Sequence, residues 1–116
     1  MSNVIPNPKR IVRVNIEQEK VRTAVKVLAK HVQPTKLTIE NDIMNYYQFQ
    51  SAAKGLDTGM FLEVCLHKVD NDKTDIHIEV RRVFGHINTI AEIDDAWGFV
   101  NGFTNMMGKA LRGEIS

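Results

Sequence analysis

The chain has one cysteine, Cys65, only three prolines, and an aromatic content of just 7%. One cysteine excludes an intramolecular disulfide framework and fits a reducing compartment. Two of the prolines, Pro6 and Pro8, fall near the start and make residues 1–8 an extended arm, while Gly98, Gly102 and Gly108 interrupt the last helical segment. No apolar run approaches the roughly 18 residues that a membrane helix needs. Met1 to Arg10 also lacks the apolar stretch of a secretory signal. A cytoplasmic location is expected. Neither sign of charge dominates, since 15 basic residues face 14 acidic ones for a net charge of +1. That balance argues against a strongly basic nucleic-acid binder and gives no reason to expect a membrane partner.

What is present is ordinary for a folded domain. Hydrophobic residues make up 43% and charged residues 25% of 116 positions, enough for one domain and one core. Folding should bury roughly 65% of the surface of the unfolded chain, so neither a disulfide nor a structural metal is required. The first eight residues read as a flexible N-terminal arm and residues 9–116 as a single domain.

The segment Arg10 to Val14 is β-prone, with Val12 and Val14 on one face and Ile11 and Arg13 on the other. Val21, Ala24, Val25, Leu28, Ala29 and Val32 then recur at helical spacing, which predicts a helix from about Glu17 to Val32. Asn15 is its expected cap, with Gln18 completing a capping box. Pro34 ends it. From Leu37 the period changes to two. A hairpin is expected through Asn41 and Asp42 into a strand from Ile43 to Gln50, and a second one through Asp70 to Lys73. In the second hairpin Met60, Leu62, Val64 and Leu66 form one apolar row and Ile76, Ile78 and Val80 the other. Matching the rows with an odd-numbered loop places Leu66 opposite Ile78, Glu63 opposite Arg81, and His67 opposite His77. The alternative, two residues away, sets Glu63 against Glu79 and is disfavoured by like charge.

A final helix is predicted from about Asn88 to Leu111, with Ile90, Ile93, Trp97, Val100, Met107, Ala110 and Leu111 on its buried stripe. The expected fold is α+β: a two-layer domain with an antiparallel sheet of about five strands in the order β-α-β-β-β-β-α and both helices on one face. In element order it resembles small two-layer domains of the TATA-binding-protein-like or reduced helix-grip kind.

Three sets of residues can carry function. Gly98 and Gly102 lie one turn apart on the last helix, where they either admit close packing or leave room for an apolar ligand among Trp97, Phe103, Met106 and Met107. Phe99, with Gly98 and Gly102, widens the apolar part of this helix beyond what one sheet contact needs, which points to an interface with a second copy. Cys65, His67 and His77 project from the polar face of the second hairpin and are the candidate metal ligands, or the core of a metal-assisted hydrolase site. No short catalytic motif is present. The sequence GLDTG at 55–59 reads as a turn. Arg22, Lys26 and Lys30 make a basic ridge on the first helix, read as a solvated face or a phosphate contact. The charge is uneven, with +4 in residues 1–58 and −3 in residues 59–116, so attraction between copies is available. The leading reading is a non-enzymatic domain acting through homodimeric association. A small apolar-ligand carrier or sensor comes second and a hydrolase third, with no cofactor expected.

Overall fold

A computed structural model describes residues 6–31, 36–51, 59–83, 85, 87 and 89–116. Its elements are β1 (Lys9–Val14), α1 (Gln18–His31), β2 (Lys36–Asn41), β3 (Tyr46–Gln50), β4 (Met60–Asp70), β5 (Lys73–Arg82) and α2 (Ile90–Leu111). The five strands form one antiparallel sheet in the order β1-β5-β4-β3-β2. The two-layer α+β expectation, with its element order, is therefore met. Pro34 and residues 55–58 of the GLDTG segment lie outside the described residues.

The period-two rows explain the layering. Leu62, Val64, Leu66, Ile76, Ile78 and Val80 are 3% exposed or less and share one core with Val21, Val25 and Leu28 of α1 and Val100, Phe103 and Met107 of α2. Removing each such side chain from water stabilises the fold by about 1.5–3 kcal/mol. Both helices thus cover the apolar face of the sheet. Phe49 on β3 meets Phe103 on α2 edge to face, with ring centroids 5.1 Å apart. No described helix is long and apolar enough to cross a membrane.

Four details depart from the sequence reading. The Asn15 capping box does not form: α1 begins at Gln18, the Lys20 and Val21 amides bond to the Glu17 carbonyl, and the Gln18 side-chain amide donates to the Leu66 carbonyl on β4. The strand expected from Ile43 starts only at Tyr46, because residues 42–45 form a turn. Asn45 adopts φ 54° there, a left-handed conformation that asparagine tolerates.

The β4–β5 register is the third departure. It is the one that like charge argued against, with Leu66 opposite Ile76, Glu63 opposite Glu79, and Cys65 opposite His77. The loop holds two residues, Asn71 and Asp72, and an irregularity between Lys68 and Asp70 takes up the odd residue. The charge conflict is relieved sideways. Arg81 donates to Glu63 and lies over the Phe61 ring, while Lys9 on β1 stands opposite Glu79. Pairwise charge across one hairpin is a small term, and a third strand outweighs it.

The fourth departure concerns α2. Thr89 caps the helix by accepting the Glu92 amide. Its fully buried residues are Ala96, Val100, Phe103 and Met107, while Ile93, Ala110 and Leu111 of the predicted stripe pack against that core, so the buried stripe gains Ala96 and Phe103 and leaves Ile90 and Trp97 outward. Trp97 is 37% exposed and Ile90 78% exposed.

Candidate functional site

The packing of α2 gives the residues expected to hold an apolar ligand different surroundings. Phe103 and Met107 are sealed in the core, Met106 packs against that core, and Trp97 sits on the exposed flank. The glycines do not bring α2 close to the sheet, since a Cβ added at Gly98 or Gly102 would meet no atom within 4 Å. Both therefore face open space within the protomer. Phe99 is partly buried beside the core.

A cleft of about 600 Å³ opens elsewhere, between the N-terminal half of α1, the β4–β5 turn and the C-terminal end of α2. Its apolar lining is Ile16, Ala24, Val27, Ala110, Leu111 and Ile115; Asn15, Glu17, Lys20, Thr23 and Asp72 are exposed and form the polar mouth. None of the four predicted ligand residues lines it. Three contacts shape it. Thr74 donates its hydroxyl to the Ile16 carbonyl, which holds the β1–α1 connection. Gly113, at φ 76°, turns the chain after α2. His31 lies 2.8 Å from the Ser116 carbonyl, which draws the last residues toward α1. The cleft was hard to see in the sequence because its walls come from segments about 85 residues apart. The available signal was apolar residues left off every stripe, namely Val27 beside the α1 stripe and Ile115 beyond the end of α2.

On the opposite flank of α1 two residues of the basic ridge, Arg22 and Lys26, are engaged internally. Lys26 donates to Asp42 at 2.9 Å and pairs with Glu40 at 3.3 Å. Arg22 bonds to Glu19 and Asn45. Among the described residues, the Arg22 Nε is the one buried side-chain nitrogen or oxygen without a hydrogen bond, 3.9 Å from Asp42. Tyr47, fully buried, donates its hydroxyl to Asp42 at 2.7 Å. Burial first, then the bond to Asp42, push its phenol up to about 12, and the same bond with that of Lys26 holds Asp42 below the usual carboxylate range. This network ties the β2–β3 turn to α1. Arg22 and Lys26 are therefore spent on carboxylates of the same chain, which removes them from the phosphate-contact reading.

The outer face of the sheet carries Cys65, His67 and His77. Cys65 stands opposite His77, and the His67 and His77 rings approach to 4.2 Å between centroids. Burial, with Glu63 and Glu79 nearby, pushes the Cys65 thiol up, and burial followed by His67 lowers His77. A raised thiol is the opposite of an activated nucleophile. Among the described residues no three His, Cys, Asp or Glu side chains are grouped to hold a metal ion. Several other polar groups on this face bond to one another. Arg13 bonds to Asp75 through two nitrogens, Tyr46 donates to Gln48, and Gln48 donates to Thr38.

No protein-family model matches the chain, and no curated protein matches it. A solved structure similar to it is that of Zhui, an aromatase/cyclase from a Streptomyces species, at 10% identity and a TM-score of 0.45, covering 94% of this chain and 92% of that one. At this degree of likeness, function is read from the residues themselves.

Proposed function

We propose that this chain is a small-ligand-binding domain that takes an apolar or amphipathic molecule into the cleft between α1 and the C-terminal end of α2. The observation that carries the reading is the cleft itself. Its volume of about 600 Å³ falls within the range of small-molecule sites, roughly 300–1,000 Å³, and it combines apolar walls with a polar mouth. The carrier reading thus moves ahead of association, at a site different from the one around Trp97. The test is binding of a fluorescent anilinonaphthalene probe, together with native mass spectrometry of protein taken from cells. Val27→Trp, which fills the cleft, abolishes binding; Trp97→Ala leaves it intact. Unchanged probe binding by folded Val27→Trp protein would overturn the proposal.

A second reading, homodimeric association, is favoured by the outer flank of α2. Open space at Gly98 and Gly102 beside exposed Trp97 and Ile90 leaves room for the same helix of a second copy. Light scattering over a wide concentration range decides it, with Gly98→Ala and Gly102→Ala as the discriminating variants. In a monomer each substitution stabilises the helix by up to ~1 kcal/mol. In a dimer built on close helix approach each weakens association.

A further inference from the structure

The outer sheet face holds one feature that ligand binding does not use. In the β4–β5 register His67 stands opposite Asp75 and Cys65 opposite His77, which makes the two histidines diagonal neighbours on paired antiparallel strands. Their rings are 4.2 Å apart between centroids and inclined by 57°. Backbone pairing holds both Cα positions, so ordering these ligands around an ion requires only side-chain torsions, and each ring nitrogen needs to come within about 2.0–2.1 Å of it. Imidazole is a ligand type suited to zinc, copper and nickel. The neighbours set the ligand count. Asp75 is committed to Arg13 through contacts of 2.8 and 3.0 Å, and Cys65 is partly buried between Glu63 and His67 along β4. Glu79 and Asp75 flank His77 along β5 and are balanced by Lys9 and Arg13 on β1, so the two imidazoles themselves, rather than the surrounding charge, carry the attraction for an ion. Both described helices lie on the other face, which leaves approach to the pair open from this side.

We propose that His67 and His77 together chelate one late first-row divalent cation, with water completing the coordination, at an open two-histidine site on the outer face of the sheet. The Irving–Williams order places Cu²⁺ above Zn²⁺ at such a site. The site is independent of the cleft, so its failure leaves the ligand-binding reading untouched.

The experiment is calorimetric titration of the untagged chain with Zn²⁺, and of the Cys65→Ala variant with Cu²⁺, where no thiol is present to be oxidised. One equivalent binds, more tightly for Cu²⁺. His67→Asn and His77→Asn each remove that binding event, while His31→Asn and Cys65→Ala retain it. Nitrogen NMR of the unmodified protein, which needs no variant to fold, shows Zn²⁺-induced shifts at the imidazoles of both His67 and His77. Undiminished Zn²⁺ affinity in either histidine variant, loss of Zn²⁺ binding in Cys65→Ala, or shifts at other histidines alone would overturn the proposal.

Discussion

Replacing Phe103 by alanine tests which face of α2 is buried. Phe103 is 1% exposed and packs edge to face on Phe49, whereas Trp97, a larger aromatic on the same helix, is 37% exposed. Truncating a buried phenylalanine costs about 3–5 kcal/mol, including the cavity it leaves. Within that total the aromatic pair accounts for about 0.5–1.5 kcal/mol. A chain of 116 residues has a total stability of about 6–17 kcal/mol at ordinary per-residue values, so Phe103→Ala should still fold. Its unfolding entropy of about 0.24 kcal/mol/K, from roughly 2.1 cal/mol/K per residue, translates the loss into a fall in Tm of about 12–20 °C. Trp97→Ala costs less than Phe103→Ala, because about a third of the Trp97 surface already stays in water and its removal leaves no enclosed cavity in the core. The assay is urea and thermal unfolding followed by circular dichroism, which needs no tryptophan signal. Because the stripe predicted from sequence included Trp97 and omitted Phe103, the two orientations give opposite rankings. A Trp97→Ala loss equal to or larger than that of Phe103→Ala would refute the orientation of α2 and the core built on it.

Four further outcomes are expected. Tyr47→Phe removes the hydroxyl that binds Asp42 and costs about 0.5–1.5 kcal/mol by urea unfolding. Because the folded-state pKa of Asp42 lies below its ordinary 3.8, its contribution is complete above that value and lost as pH falls through the lower folded value. Unfolding curves of the unmodified protein and Asp42→Asn therefore differ at neutral pH and converge in acid; a constant difference across pH would exclude Asp42 as the source. His77→Cys, opposite Cys65 in the observed register, forms a disulfide on mild oxidation and loses both free thiols, whereas Glu79→Cys does not; the reverse result would restore the register predicted from sequence. Thr89→Ala, which removes the α2 cap, costs about 1 kcal/mol, and unfolding midpoints unchanged from the unmodified protein would show that the cap carries no stability.

Much of the architecture was legible in the residues themselves. The change of period near Leu37, the α1 stripe from Val21 to Leu28, and the alternation of Met60 to Leu66 with Ile76 to Val80 marked the first helix, the start of the hairpins and the two central strands. Each depends on local periodicity, which backbone geometry imposes wherever one face is buried. The turn at residues 42–45 was misread because Ile43 and Met44 are large apolar residues with β propensity, yet they are 92% and 71% exposed. What holds that turn is the contact of Asp42 and Asn45 with Arg22 and Lys26 on α1, which no local rule anticipates.

The chain's own residue pattern was thus sufficient for its class, element order and apolar faces, because hydrophobic burial acts on spacing within each segment. Tertiary structure decided the rest, and it did so through contacts between distant segments. β1 pairs with β5 and places Lys9 opposite Glu79, so the β4–β5 register tolerates facing carboxylates. Phe49 meets Phe103 and selects which flank of a broadly apolar helix turns inward. The residues after α2 fold back toward the start of α1 and create a cleft whose walls are strangers in sequence. A helix with several apolar flanks and two near-equivalent registers leaves its own periodicity undecided, and only packing against the neighbouring elements breaks the tie.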